Sequence, residues 1–81
     1  MITLTATGIK SKGVAVVNLF WNGATSNNID IYRNGVLIRT VPNIGTYTDN
    51  TGIKSRATFT YTVCAAGTQN CSNVVIVQFG G

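Results

Sequence analysis

The chain has no histidine and no glutamate, and its 81 residues carry only two acids, Asp30 and Asp49. That inventory excludes most catalysis. General acid–base chemistry needs a group that titrates near the working pH, most often His, or a pair of carboxylates at a set distance. The serines Ser11, Ser26, Ser55 and Ser72 have no visible base to activate them. Cysteine occurs twice, at Cys64 and Cys71, and no His, Glu or third Cys could complete a tetrahedral metal shell. No metal and no cofactor are therefore expected. No apolar run approaches membrane-spanning length. The start Met1-Ile2-Thr3-Leu4 lacks both the basic residue and the apolar core of a signal peptide. The bases Lys10, Lys12, Arg33, Arg39, Lys54 and Arg56 give a net charge of +4, but along the sequence they are scattered, which argues against nucleic-acid binding.

What is present is strand-forming. From Ala57 to Phe79 two β-branched, apolar runs flank a polar, glycine-containing turn, and the cysteines stand on either side of that turn. Phe59, Tyr61, Val63 and Ala65 alternate with Thr58, Thr60, Thr62 and Cys64, the period of a strand buried on one face. On that parity Cys64 points away from the core, whereas Cys71 shares the parity of the buried Val75, Val77 and Phe79. A bulge near Ser72-Asn73 would reconcile the two. The pair reads as a disulfide closing a small ring, with two free thiols as the alternative. A disulfide implies an oxidising compartment, extracellular or periplasmic. Such chemistry without a leader points to a piece of a longer exported chain, with Met1 an added start.

The remaining elements follow in order. Met1–Ile9 alternates Ile2, Leu4 and Ala6 with threonines as an opening strand, and Lys10–Gly13 reads as a turn. Val14–Trp21 is a second strand with Ala15, Val17, Leu19 and Trp21 on its inner face and Val16, Asn18 and Phe20 on the other. Asn22–Asn27 is a loop by composition. Ile29–Tyr32 is a third strand, and Asn34-Gly35 predicts a two-residue type I′ turn into Val36–Val41. Pro42 ends that fourth strand. Thr46–Thr48 is a short strand, Asp49–Gly52 a turn, and Ile53 an isolated apolar residue expected to tuck under the rim. Seven short strands without helical periodicity predict one all-β domain over residues 1–81, a seven-stranded antiparallel β-sandwich of immunoglobulin-like type.

Several stretches resemble fibronectin type III domains. Val17-x-Leu19-x-Trp21 resembles their second strand, and Asp30-Ile31-Tyr32-Arg33-Asn34-Gly35 the following hairpin of bacterial members. Tyr47-Thr48-Asp49, Ile53 and Phe59-x-Tyr61-x-Val63-x-Ala65 are similar to the fifth strand, the next loop and the sixth strand. An immunoglobulin domain would carry its core Trp on the third strand, packed on a disulfide between strands two and six. Here Trp21 is on the second strand and both cysteines lie late. One departure is Phe59, which stands where such sandwiches place a Tyr whose hydroxyl bonds nearby backbone; that bond is absent or is replaced by Tyr61. The ending Cys-Ala-Ala-Gly-Thr-Gln-Asn-Cys-Ser-Asn is similar to fibronectin-like domains at the C-terminal end of secreted bacterial hydrolases, subtilisin-like serine proteases among them. The resemblance implies a non-catalytic accessory or spacer module, monomeric, with an adjoining catalytic domain as partner and an insoluble polymer or protein as substrate. The alternative is a protein- or glycan-binding module of an extracellular surface or adhesion protein. Parity leaves Phe20 and Tyr32 facing outwards, on opposite sheets, as candidate surface contacts. Asp30 reads as an exposed strand residue beside Arg33, and Asp49 as a turn former.

Overall fold

The computed structural model describes residues 1–80, which form seven strands and no helix. These are β1 (Thr3–Ser11), β2 (Val14–Asn22), β3 (Asn28–Arg33), β4 (Val36–Pro42), β5 (Thr46–Asn50), β6 (Ala57–Ala65) and β7 (Val75–Phe79). They build two antiparallel sheets, one of order β1-β2-β5 and one of order β4-β3-β6-β7. Alternation decides which side chains meet between them. Leu4, Val17, Leu19 and Trp21 from the first sheet bury against Ile29, Ile31, Tyr61, Val63, Val77 and Phe79 from the second. Each such burial stabilises by about 1.5–3 kcal/mol. Ile2, ahead of β1, is wholly buried in the same core.

Both tight hairpins use left-handed backbone. Asn34 and Gly35 have φ of 53° and 81°, the pair of positive values a type I′ turn requires. Asn34 also ties the turn to β6: its N–H donates to Thr60 O at 2.8 Å, and its Oδ1 accepts from Thr60 N at 2.9 Å. The first hairpin is tighter than the sequence reading. β1 runs on through Ser11 to pair with Val14, so the turn is Lys12-Gly13 alone, and Lys12 takes a φ of 53°. Lysine carries no local turn signal, and the register of nine paired residues overrides it. Ile53 is a second correction. Its side chain stays 38% exposed, and it is the backbone carbonyl that is used, accepting from Ala15 N at 2.8 Å.

The expected bulge is present at the end of the last hairpin. Tyr61 pairs with Val75 and Cys64 with Cys71. Between those pairs two residues, Thr62 and Val63, face three, Ser72, Asn73 and Val74, so the returning strand flips its parity once. Asn73, released from the ladder, spans to the other sheet: its Oδ1 accepts from Leu4 N at 2.9 Å and its Nδ2 donates to Leu4 O at 3.0 Å.

Candidate functional site

β3 presents two chemistries because its side chains alternate. Ile29, Ile31 and Arg33 point inward, opposite Ala65, Val63 and Tyr61 of β6, while Asp30 and Tyr32 point outward, opposite Cys64 and Thr62. The inward set ends in a polar cluster. Arg33 Nη1 donates to both carboxylate oxygens of Asp49 on β5, at 3.1 and 2.9 Å, and the Tyr61 hydroxyl donates to Asp49 Oδ2 at 2.6 Å. Asp49 is therefore not a turn former: it lies on the inner face of its strand, paired with Val17, and is 5% exposed. Burial, then the bond to Asp49, pushes the Tyr61 phenol well above its ordinary range. Burial opposes charge on Arg33, but the bonds to Asp49 outweigh it and hold the guanidinium above its ordinary value. Arg33 also lies 5.8 Å from the centre of the Phe59 ring, which packs edge-on to Phe79. Phe59 makes no corner hydrogen bond, and the hydroxyl nearby is that of Tyr61, bonded to a side chain on the other sheet. This cluster resembles a reactive centre in its residue types alone. Tyr61 is closed to solvent, and among the described residues no buried side-chain polar atom lacks a partner.

The outward set builds a surface. Asp30 is 8% exposed, against the expectation of a free strand residue, because the β6–β7 loop folds over it. Its Oδ1 accepts from Thr40 Oγ1 at 2.6 Å and its Oδ2 from Gly67 N at 3.1 Å. The loop is fixed further by Thr68, whose N–H and hydroxyl both donate to Ala65 O. At its base Cys64 and Cys71 form the disulfide, seven residues apart in sequence. Flanking backbone bonds join Ala65 to Asn70 and Ser72 to Val63, so the bridge occupies a non-hydrogen-bonded pair, where side chains approach most closely. The pinned loop, the disulfide and Tyr32 enclose a shallow depression of about 330 Å³, completed by Thr62, Thr68 and Gln69.

The depression can stack against and hydrogen-bond a neutral partner. It offers one aromatic ring, an amide and hydroxyls, with no charged lining residue. Three of the residues singled out from the sequence thus come together here, Tyr32 and the bridged Cys64 and Cys71. Phe20 does not: it is 49% exposed on the outer face of the other sheet, between Thr5 and Thr46. Thr62, Thr68 and Gln69 had no sequence signal, since nothing local marks a polar loop residue as lining a shared surface. Among the described residues no three metal-ligating side chains converge. No family model, curated protein or solved structure matches the chain.

Proposed function

We propose that the chain is a fibronectin type III-like module that stabilises or positions the catalytic domain of a secreted bacterial hydrolase, a serine protease by its resemblance, and does no chemistry itself. The observation that carries this reading is the fate of the two acids. Asp30 and Asp49 are the only carboxylate side chains, and each is buried and engaged, one by Thr40 and Gly67, the other by Arg33 and Tyr61. Neither is available as a base to a substrate. The strand order supports the sandwich type. β4 lies beside β3 in the four-stranded sheet, whereas a constant-type immunoglobulin domain carries its fourth strand on the opposite sheet. The disulfide is compatible with an oxidising, extracellular setting.

The test is the parent enzyme with and without this segment, assayed on a soluble and an insoluble substrate. A loss of thermal stability and of activity on both substrates is the expected result. Unchanged stability and activity on either would overturn the accessory role.

The depression beside Tyr32 favours a second reading, an interaction module for a neutral glycan or a peptide. Under it, Tyr32→Ala abolishes binding to the partner while leaving the melting temperature within about 2 °C, the range of a half-exposed surface substitution.

A further inference from the structure

The six bases are dispersed in sequence, but the fold gathers four of them. The β1–β2 turn and the Thr51–Arg56 connection between β5 and β6 meet at one end of the sandwich. Ala15 N–H donates to Ile53 O, and both the N–H and the hydroxyl of Thr51 donate to Ala15 O at 3.2 and 2.8 Å. These bonds set the hairpin end that carries Lys10 and Lys12 against the connection that carries Lys54 and Arg56, with Lys10 Nζ 3.5 Å from Lys54 O. All four side chains are exposed. No acid offsets them. Among the described residues the one ion pair is Arg33–Asp49, which neutralises itself, and Asp30 is held under the β6–β7 loop at the other end. A molecule only 37 Å long thus carries most of its net charge on one tip.

We infer that this tip is a docking surface for an acidic polysaccharide. Three of the four cations are lysines, mobile point charges without the fork geometry that grips a single phosphate or carboxylate. None is held in place by another side chain, so they suit a repeating, diffuse anionic surface and not one small anion. Neither loop contributes an aromatic ring on which a base could stack, which separates the tip from single-stranded nucleic-acid sites. Ile53 is the single apolar residue of the β5–β6 connection, too little to insert into lipid. A hydrated polymer with regularly spaced carboxylates matches what remains.

The contact would anchor the accessory module, and the hydrolase joined to it, to a polysaccharide matrix, and in that role it rests on the reading above. The β1 strand starts at the opposite end, where Thr3 pairs with Asn22, so a catalytic domain joined ahead of β1 lies away from the basic tip. Binding is measured on the 81-residue chain itself, so its failure removes the anchor and leaves the stabilising role to the parent-enzyme test. The probe is polygalacturonate, with dextran as the neutral control. The chain should bind polygalacturonate at about 20 mM salt, release it by about 0.3 M as the screening length falls, and ignore dextran. Lys12→Gln/Lys54→Gln should weaken binding about fivefold per cation removed, while Arg39→Gln, on the β4 edge, should have little effect. A charge-conserving variant, Lys12→Gln/Lys54→Gln with Thr25→Lys/Asn70→Lys at the opposite end, decides between tip and net charge. Its loss of binding supports the tip; retained binding overturns it. Equal or tighter binding of the wild-type chain to duplex DNA or phosphatidylglycerol vesicles at the same salt overturns the polysaccharide assignment.

Discussion

Tyr61→Phe isolates the bond that closes the buried cluster between the sheets. The substitution keeps the ring, which is 1% exposed, and deletes only the hydroxyl that donates to Asp49 Oδ2 at 2.6 Å. A hydrogen bond to a charged group contributes about 1.5–3 kcal/mol, and Asp49 keeps both contacts to Arg33, so the loss should fall in that range and not beyond it. Asp49→Ala should cost more, about 3–5 kcal/mol, because the buried Tyr61 hydroxyl and the partly buried Arg33 are then both left without that partner. The alkaline side sharpens the test. The folded state holds the Tyr61 proton far above the ordinary value near 10, whereas the unfolded chain releases it there. Above that pH the folded state binds the extra proton, so stability present below pH 10 is lost as pH rises, by up to about 1.4 kcal/mol per unit. Urea titrations at pH 7, 9, 10 and 11, followed by Trp21 fluorescence, should show this decline in the wild type and a shallower one in Tyr61→Phe. Parallel pH profiles would mean that the phenol is not held neutral by the fold. A Tyr61→Phe loss under about 0.5 kcal/mol, the net worth of the weakest hydrogen bonds, would refute the bond itself.

Four further outcomes are expected. Intact mass and thiol titration under denaturing, non-reducing conditions should find no free sulfhydryl. Reduction should lower the melting temperature by roughly 10–20 °C, from about 2–3 kcal/mol of loop constraint, yet leave the domain folded at room temperature because the core lies outside the ring. Trp21→Ala should destabilise by about 3–5 kcal/mol by circular dichroism, since it empties the core and strips Asn43 Oδ1 of its donor at 2.9 Å; native-like melting would displace Trp21 from the core. Gly8→Ala should cost about 1–3 kcal/mol in the same assay, because its Cβ would fall 2.7 Å from Val77 Cγ1 and 2.8 Å from a Phe79 ring carbon; an unchanged midpoint would mean that β1 and β7 are not in contact there.

These sites divide into those that local pattern reveals and those that only register creates. Alternation placed Leu19 and Trp21 inward and Phe20 outward, because a strand's parity is a property of neighbouring residues. The same logic located the bulge near Ser72-Asn73, since Cys64 and Cys71 could not otherwise share a face. Asp49 failed because its neighbours, Asp-Asn-Thr-Gly, form a turn signal, while the residues that decide its role lie on two strands of the other sheet. Its partners Arg33 and Tyr61 meet it only once β5 pairs with β2 and the sheets stack. Asn43 is the same case. No local pattern marks it after Pro42, yet it accepts from Trp21 and donates to the carbonyls of Ala24 and Ser26, fastening the β2–β3 loop beside the tryptophan. The basic tip belongs to this second class too. Lys10 and Lys54 are far apart in the chain and become neighbours through bonds between Ala15, Thr51 and Ile53, none of which carries a charge. The interior of this sandwich is therefore written in side-chain alternation. Its surface chemistry is set by which hairpin ends the two sheets bring together, so the contacts that bear on function are those that a residue-by-residue reading is least able to see.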